Sequence, residues 1–518
     1  LEALCNSRSV VVNNEDGTLN TEATFAAQAK CTKIAEEFQR WVFAEDSRRE
    51  RLVAEYNKRF RSLVAPRHDG RHLPLPGLSE KMTPHPYQRD AIARILAEPT
   101  TLIDHVVGAG KSGVMVLAAY QLRRLGLVRQ PWIVVPNHIC EQFGREALSW
   151  VPGAKILLGQ TNTDADGRRR LIAQSAASEW DMVIVPQSMF KLIGVSEATK
   201  AKYIEEQLHA LKAQMETAQT PRSKKRIELA IKNAKKRLDQ KLNQAGKDTG
   251  LTWESSGCDY LLIDEAHHFK NLQRLCNIEE LSYPQSSERA EDLALKLDVL
   301  RQRRRDEATV AGITNQEYVE RVATFATGTP IANSLGELWV MQRYLRPDLL
   351  EGAGVAELGD WGAAFTATHS TVEVNATGTK LRPVTRVGKY TNVADLLAIS
   401  SVFTDVVTRD QVPTALPRLR DGRRQVISLE ADTEVRDFIA DLGWRMDNLD
   451  AREPARDNAL KISTDGRNVS LDPRLAHMDP PQNSRAAAVA EQIMRIHAAA
   501  ADRVYTDPDT GQPLAQTG

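Results

Sequence analysis

Short apolar runs and amphipathic stretches take turns along the first two thirds of the chain. The apolar runs lie at 132–136, 154–158, 181–188, 260–263 and 322–326. Each has the length of a buried strand, and most are rich in Val, Ile or Leu, as strands covered on both faces are. Between them the spacing becomes helical. A helix beginning after Pro86 carries Ala91, Ile92, Ile95 and Leu96 on one face, and further helices are predicted over 141–150, around 293–299 and over 336–345. Strands alternating with helices predict an α/β fold with a right-handed, parallel sheet.

Residues 196–247 interrupt this alternation. Ile204, Leu208, Leu211 and Met215 recur at steps of four and three, as do Ile227, Ile231, Ala234 and Leu238. Gln219-Thr220-Pro221-Arg222-Ser223 between them signals a turn, so the stretch is read as an antiparallel helical hairpin inserted into the lobe. Residues 1–75 form a helical N-terminal extension and linker. Its helix spans 35–56 with Phe38, Trp41, Val42 and Phe43 as the apolar face, read as core or docking surface rather than a base-stacking platform. Residues 351–420 lack strong periodicity and read as a connector. A strand at 425–429 and helices at 434–446 and 484–500 then begin a second lobe over 421–518.

Charge sharpens this picture little. Lys plus Arg and Asp plus Glu both number 68, so the net charge is zero and any basic surface is local. The hairpin supplies one such surface, with Lys224, Lys225, Lys235 and Lys236 among its cations, and 301–305 is another basic cluster. A duplex phosphate backbone suits the hairpin, and so does plain solvation. The five cysteines are scattered with no C-x-x-C pair, which disfavours a zinc site or a disulfide framework and fits a reducing cytoplasm. No signal peptide and no bilayer-length apolar run is found, so no membrane partner is expected. The first residue is Leu, consistent with a piece of a longer polypeptide.

Candidate chemistry collects where apolar runs end. The run 260–263 ends in Asp264-Glu265-Ala266-His267-His268. Acids at that end of a parallel strand stand where open α/β sheets place their ligands. Asp264 can hold Mg²⁺, and Glu265 can orient or deprotonate a water. A strand running into an acidic helix N-terminus would give the same letters; the upstream stretch Gly108-Ala109-Gly110-Lys111-Ser112 decides between them. Its glycines let backbone approach phosphate oxygens, and the helix starting near Lys111 points free N–H groups at the anion. Lys111 is the point charge for the β- and γ-phosphates of ATP, and Ser112 a Mg²⁺ ligand. His105 stands where the full phosphate-loop pattern has glycine. Gln88, shortly upstream, can exchange hydrogen bonds with adenine. Thr327-Gly328-Thr329-Pro330 follows the last run, with hydroxyls able to reach both the acids and a bound backbone. Asn137 and His138, like Gln187 and Ser188, would line the same sheet edge, gripping nucleic acid or capping loops.

Together, Gln88, 108–112, Asp264-Glu265-Ala266-His267 and 327–330 resemble the first motor lobe of superfamily 2 helicases. Thr327-Gly328-Thr329-Pro330-Ile331-x-Asn333-x-x-x-Glu337-Leu338-Trp339, with Lys270-Asn271, is similar to the Swi/Snf branch. Residues 260–272, 322–345 and the hairpin look like the helicase part of phage and mobile-element methyltransferase–helicase proteins of the DarB antirestriction type. The resemblance implies a RecA-like P-loop lobe over 76–350 and an incomplete second RecA-like lobe. It implies an ATP hydrolase acting on double-stranded DNA as a translocase or helicase in a prokaryotic or phage-encoded, nucleoid-associated setting, with a methyltransferase region in the same parent polypeptide. Lys111, Asp264, Glu265 and His267 would be catalytic, His267 linking hydrolysis to 327–330. The other class of reading is a non-catalytic ATP-gated interaction module, and a third is an RNA helicase. No Q-x-x-G-R-x-x-R segment, the family's arginine-finger motif, and no N/D-P-P-Y/F methyltransferase motif occurs in this chain.

Overall fold

The computed structural model describes residues 10, 12, 14, 20–61, 63–217, 228, 231–232, 235–236, 251–274, 276, 278, 280–283, 286–374, 381–413, 422–423, 425–449, 457–479, 484–501, 504, 506 and 512–513. It divides into two compact units: 1–370 with 385–413, and 371–384 with 414–518.

The first unit is built on a seven-stranded sheet. Its strands are β1 (Thr101–His105), β2 (Pro131–Val135), β3 (Ile156–Leu158), β4 (Met182–Pro186), β5 (Tyr260–Asp264), β6 (Ala323–Thr327) and β9 (Thr404–Val407), in the order β3-β4-β2-β5-β6-β1-β9. Every neighbouring pair is parallel. A separate two-stranded sheet pairs β7 (Thr366–Val374) with β8 (Leu381–Tyr390).

Period-two alternation divides each central strand between two cores. Tyr260 and Leu262 of β5, with Ile133 and Val135 of β2, face the helices Pro86–Ala97, Lys111–Arg124 and Cys140–Trp150. Leu261 and Ile263, with Trp132 and Val134, face Phe190, Leu297, Trp339 and Phe403 on the other side. Because both faces are covered, β2, β4, β5 and β6 are buried at every position; β2 and β4 read as continuous apolar runs, whereas β5 ends in Asp264 and β6 carries Thr324 and Thr327. Each fully buried large side chain contributes about 1.5–3 kcal/mol.

Several expectations need correction. The stretch 351–420 is more than a connector up to residue 413. It carries the helices Leu358–Phe365 and Val393–Phe403, which pack Trp361, Phe365 and Phe403 into the core, and β9, which completes the sheet beside β1. The compact lobe therefore runs past residue 350. The predicted single helix at 35–56 is two, Thr21–Ala44 and Asp46–Tyr56, broken at Glu45. Phe38, Trp41 and Phe43 are exposed rather than core. Arg301 and Arg304 of the basic cluster are buried, ion-paired to Glu320 and Asp259. In the second unit the expected strand at 425–429 does not form. Val426, Ile427 and Leu429 lie exposed, and the unit's described helices are Thr433–Asp447, Ala459–Leu471 and Arg485–Ala500. Of the inserted hairpin, the helix Glu197–Thr217 is described, and Ile204, Leu208 and Leu211 pack with Ile231 of the returning segment. Lys235 and Lys236 are helical and exposed, whereas Lys224 and Lys225 lie outside the described residues.

Candidate active site

Strands β5, β6 and β1 are adjacent, so the loops leaving their carboxyl ends lie side by side. The register places Asp264 opposite Ala326, and Thr327 opposite Asp104. Three segments separated by up to about 200 residues of sequence therefore meet at one sheet edge.

The loop after β1 has the backbone that its sequence requires. Gly108 and Gly110 adopt positive φ of 86° and 74°, and Gly110 caps the helix that begins at Lys111. A Cβ on Gly110 would lie 2.3 Å from Gln88 Nε2, whereas one on Gly108 would meet nothing within 4 Å. Gly108 is thus the open side of the cradle and Gly110 the packed side. The next glycine serves packing: a Cβ on Gly113 would sit 1.4 Å from the Trp150 ring. Lys111 Nζ donates to the His105 carbonyl at 3.0 Å. None of the ion pairs among the described residues engages it.

Gln88 supports this loop. Its Oε1 accepts from the His85 amide at 2.8 Å and its Nε2 donates to Ala109 O at 3.0 Å. Reading adenine would require the amide to leave Ala109. Tyr87, not singled out by the sequence, donates its hydroxyl to the same carbonyl at 3.1 Å.

The acids stand one strand away from Thr327. Asp264 is buried, and burial together with the charge of Glu265 pushes its carboxyl up to about 6. A divalent cation would relieve that penalty. Glu265 has φ of 50°, a left-handed backbone unusual for a side chain of its size and of the kind that collects at functional sites. His267 Nδ1 lies 3.0 Å from Glu265 Oε2 and 3.0 Å from Thr327 Oγ1, which also accepts the Thr329 amide at 3.1 Å. One imidazole therefore touches both Glu265 and the segment 327–330.

A second layer holds this arrangement. Gln187 Nε2 donates to Asp264 O, and its Oε1 faces His268 Nδ1 at 2.9 Å. Burial and then the neighbouring His267 push the His268 ring below its ordinary pKa, and its Nδ1 faces an amide oxygen that can only accept, so that nitrogen is the donor. Lys270 Nζ lies 3.1 Å from Glu337 Oε2, and Glu337 also accepts the Ala332 and Asn333 amides. Burial raises the Glu337 carboxyl, but those amides and Lys270 together hold it below the usual range. Lys270, Asn333 and Glu337, visible in the sequence only as motif letters, thus brace the segment after Pro330. Asn137 and His138 are exposed on the same edge, and Asn137 Oδ1 caps the Ser188 amide at 3.0 Å.

The residues fit Mg-ATP: an open glycine cradle, an ammonium that donates to a neutral carbonyl, and a buried carboxylate short of positive charge. His105, the departure from pattern, is fully buried, and its Nε2 lies 2.6 Å from Asp405 Oδ2 on β9. Asp405 was missed by sequence reasoning. The available signal was the apolar pair Val406-Val407, three residues past the end of the helix Val393–Phe403.

Known proteins resemble this chain in sequence and in fold. Residues 1–62 match a domain of unknown function. The chain is 22% identical over 423 residues to Defense against restriction protein B of Escherichia phage P1, a match covering 73% of this chain and 18% of that relative's length. Two solved structures of the Sulfolobus solfataricus SWI2/SNF2 ATPase core are also similar. The one in complex with dsDNA shares 14% identity at a TM-score of 0.36, covering 83% of this chain and 67% of that one. The one without DNA in its description shares 12% at 0.35, covering 86% and 71%. Residues 95–408, from the helix before β1 to just past β9, match the family described as "Probable helicase domain". That span is more than half of the 518 residues and holds the whole sheet, and the chain belongs to this helicase family.

Proposed function

We propose that the chain is an ATP-dependent motor module that binds Mg-ATP and translocates on or opens double-stranded DNA. The observation that carries this reading is the meeting of Lys111, Asp264, Glu265 and the His267–Thr327 contact at the ends of three adjacent strands. In this reading the amides of 108–112 and Lys111 bind the phosphates. Ser112 and Asp264 hold magnesium, which when bound neutralises phosphate charge. Glu265, half-exposed and steadied by His267, orients the attacking water and takes its proton. His267 and Thr327 pass the state of that site to 327–330, as a coupling element must. Similarity to a protein named for defence against restriction supports a place in a larger DNA-modification, restriction or antirestriction protein.

ATP turnover, with and without duplex DNA, tests the reading on this chain and its Glu265→Gln variant. Slow turnover stimulated by duplex DNA is expected, falling about 10²–10⁴-fold in the variant while Mg-ATP binding persists. Equal turnover in the two proteins would remove Glu265 from the reaction, and stimulation by RNA instead of DNA would make the chain an RNA helicase. Mg-ATP binding without turnover would favour a non-catalytic, ATP-gated interaction module. That second reading draws on the lack of a Q-x-x-G-R-x-x-R segment in this sequence, since such arginines supply orders of magnitude in rate.

DNA binding by the hairpin is testable separately. Neutralising Lys224, Lys225, Lys235 and Lys236 is expected to flatten the salt dependence of DNA binding by about 0.9 in the log–log slope for each phosphate left without its lysine. A slope that does not change would assign the hairpin cations to a solvated face.

A further inference from the structure

The contact between the buried His105 and the partly exposed Asp405 joins three elements that the nucleotide reading treats separately. His105 ends β1, and its carbonyl holds Lys111 Nζ. Asp405 sits in β9 with its two carboxylate oxygens turned to different partners. Oδ2 meets His105 Nε2 at 2.6 Å, and Oδ1 faces Arg94 Nε at 3.7 Å. Arg94 is buried in the helix Pro86–Ala97, the helix that carries Tyr87 and Gln88 against Ala109. It is locked there by donating to Val402 O at 2.8 Å and Ser401 O at 3.2 Å. The backbone repeats the connection: the Val106 amide donates to Val407 O at 3.0 Å. Ala109 packs with Val407 and Val412. One residue after Val412 the first compact unit ends.

We propose that Asp405 is a positioning residue for the phosphate loop, acting through His105. The pair would fix where β1 ends and so where the Lys111 ammonium and the amides of 106–110 stand. It would also tie that geometry to the segment 408–413, by which the chain leaves this unit. His105 is then not a decayed glycine of the phosphate-loop pattern. It is half of a two-residue device whose other half comes 300 positions later. A charge-assisted hydrogen bond in a buried site is strong enough for the task, and an imidazole without its carboxylate would lose its orientation. The inference rests on the ATP reading for its functional meaning, but the mechanical link stands on the contacts alone.

Hydrogen–deuterium exchange on the protein without nucleotide tests the link, and Mg-ATP titration tests its use. The proteins compared are wild type, Asp405→Asn, His105→Gln and the double variant. Asp405→Asn is expected to speed exchange at 106–111 about tenfold, the factor that loss of one charge-assisted hydrogen bond carries, and to leave β4 and β5 protected. Mg-ATP affinity should fall by a similar factor. The double variant should be no worse than His105→Gln alone, because one residue acts through the other. Unchanged exchange at 106–111 in Asp405→Asn, or fully additive effects in the double variant, would overturn the proposal. Failure of wild type to bind Mg-ATP would sink the ATP reading instead, and the exchange comparison would still decide the link.

Discussion

Lys111→Ala is expected to weaken Mg-ATP binding about 100-fold or more while leaving the protein folded. The Lys111 ammonium is nearly buried and donates to the neutral His105 carbonyl. Meeting phosphate oxygens would exchange that neutral partner for charge-assisted hydrogen bonds worth about 1.5–3 kcal/mol each, and two of them account for the factor expected. Stability should change by less than about 1 kcal/mol, because Lys111 is the first residue of its helix and none of the ion pairs among the described residues engages it, although Asp104 and Asp264 lose its nearby charge. Calorimetric titration with Mg-ATP, beside a urea unfolding curve, separates the two effects. An affinity within about threefold of wild type, under 1 kcal/mol, would take Lys111 out of the phosphate site.

The largest stability effect is expected from Arg301→Ala. The Arg301 guanidinium and the Glu320 carboxylate are 4% and 2% exposed, their Nε and Oε2 atoms lie 2.7 Å apart, and Arg301 also donates to Tyr344 O. Breaking a buried pair by removing one partner leaves an uncompensated charge and costs about 3–5 kcal/mol. Arg305→Ala, on the exposed side of the same helix, should change stability by less than about 0.5 kcal/mol. Urea unfolding of the two variants reads the difference. Equal midpoints would mean that the Arg301–Glu320 pair is not buried in solution.

These arginines also show where sequence reading succeeds and where it stops. The cluster 301–305 looks like a basic surface when read as composition. The helix Glu288–Ala311 buries Leu293, Leu297 and Leu300, and the same helical spacing continues through Arg301, Arg304 and Ala308. Periodicity therefore carried the answer that charge obscured. The same logic made β2, β4, β5 and β6 legible, since strands buried on both faces are mostly apolar along their length. It failed for β9, a strand of only four residues that begins directly at the end of the helix Val393–Phe403 and opens with the polar pair Thr404-Asp405. It also misled at 425–429, where Val426, Ile427 and Leu429 suit a strand but no neighbouring strand among the described residues pairs with it. In the site, the spacing of 108–112 and 264–267 marked segments that the fold brings to one sheet edge, because the chemistry proposed for them demands local patterns. Tyr87 and Asp405 were not legible as supports because their partners lie elsewhere in the sequence, and Gln187 was legible only as a sheet-edge residue without its partners Asp264 and His268.

Strand order has a consequence for how the polypeptide is made. β1 lies between β6 and β9, so its partners leave the ribosome more than 200 residues after it, and Asp405 follows His105 by 300. At about 5–20 residues per second, that last gap is a wait of roughly 15–60 seconds. β2, β3, β4 and β5 can assemble in the interval, but β1 cannot be flanked on both sides until residue 407 has emerged. The phosphate loop is therefore among the last parts of the sheet to take shape during synthesis. A nascent chain stalled before β9 would carry every motif letter yet lack the contacts of His105 and Val106 with β9, so the loop after β1 would reach its final surroundings only with a finished lobe.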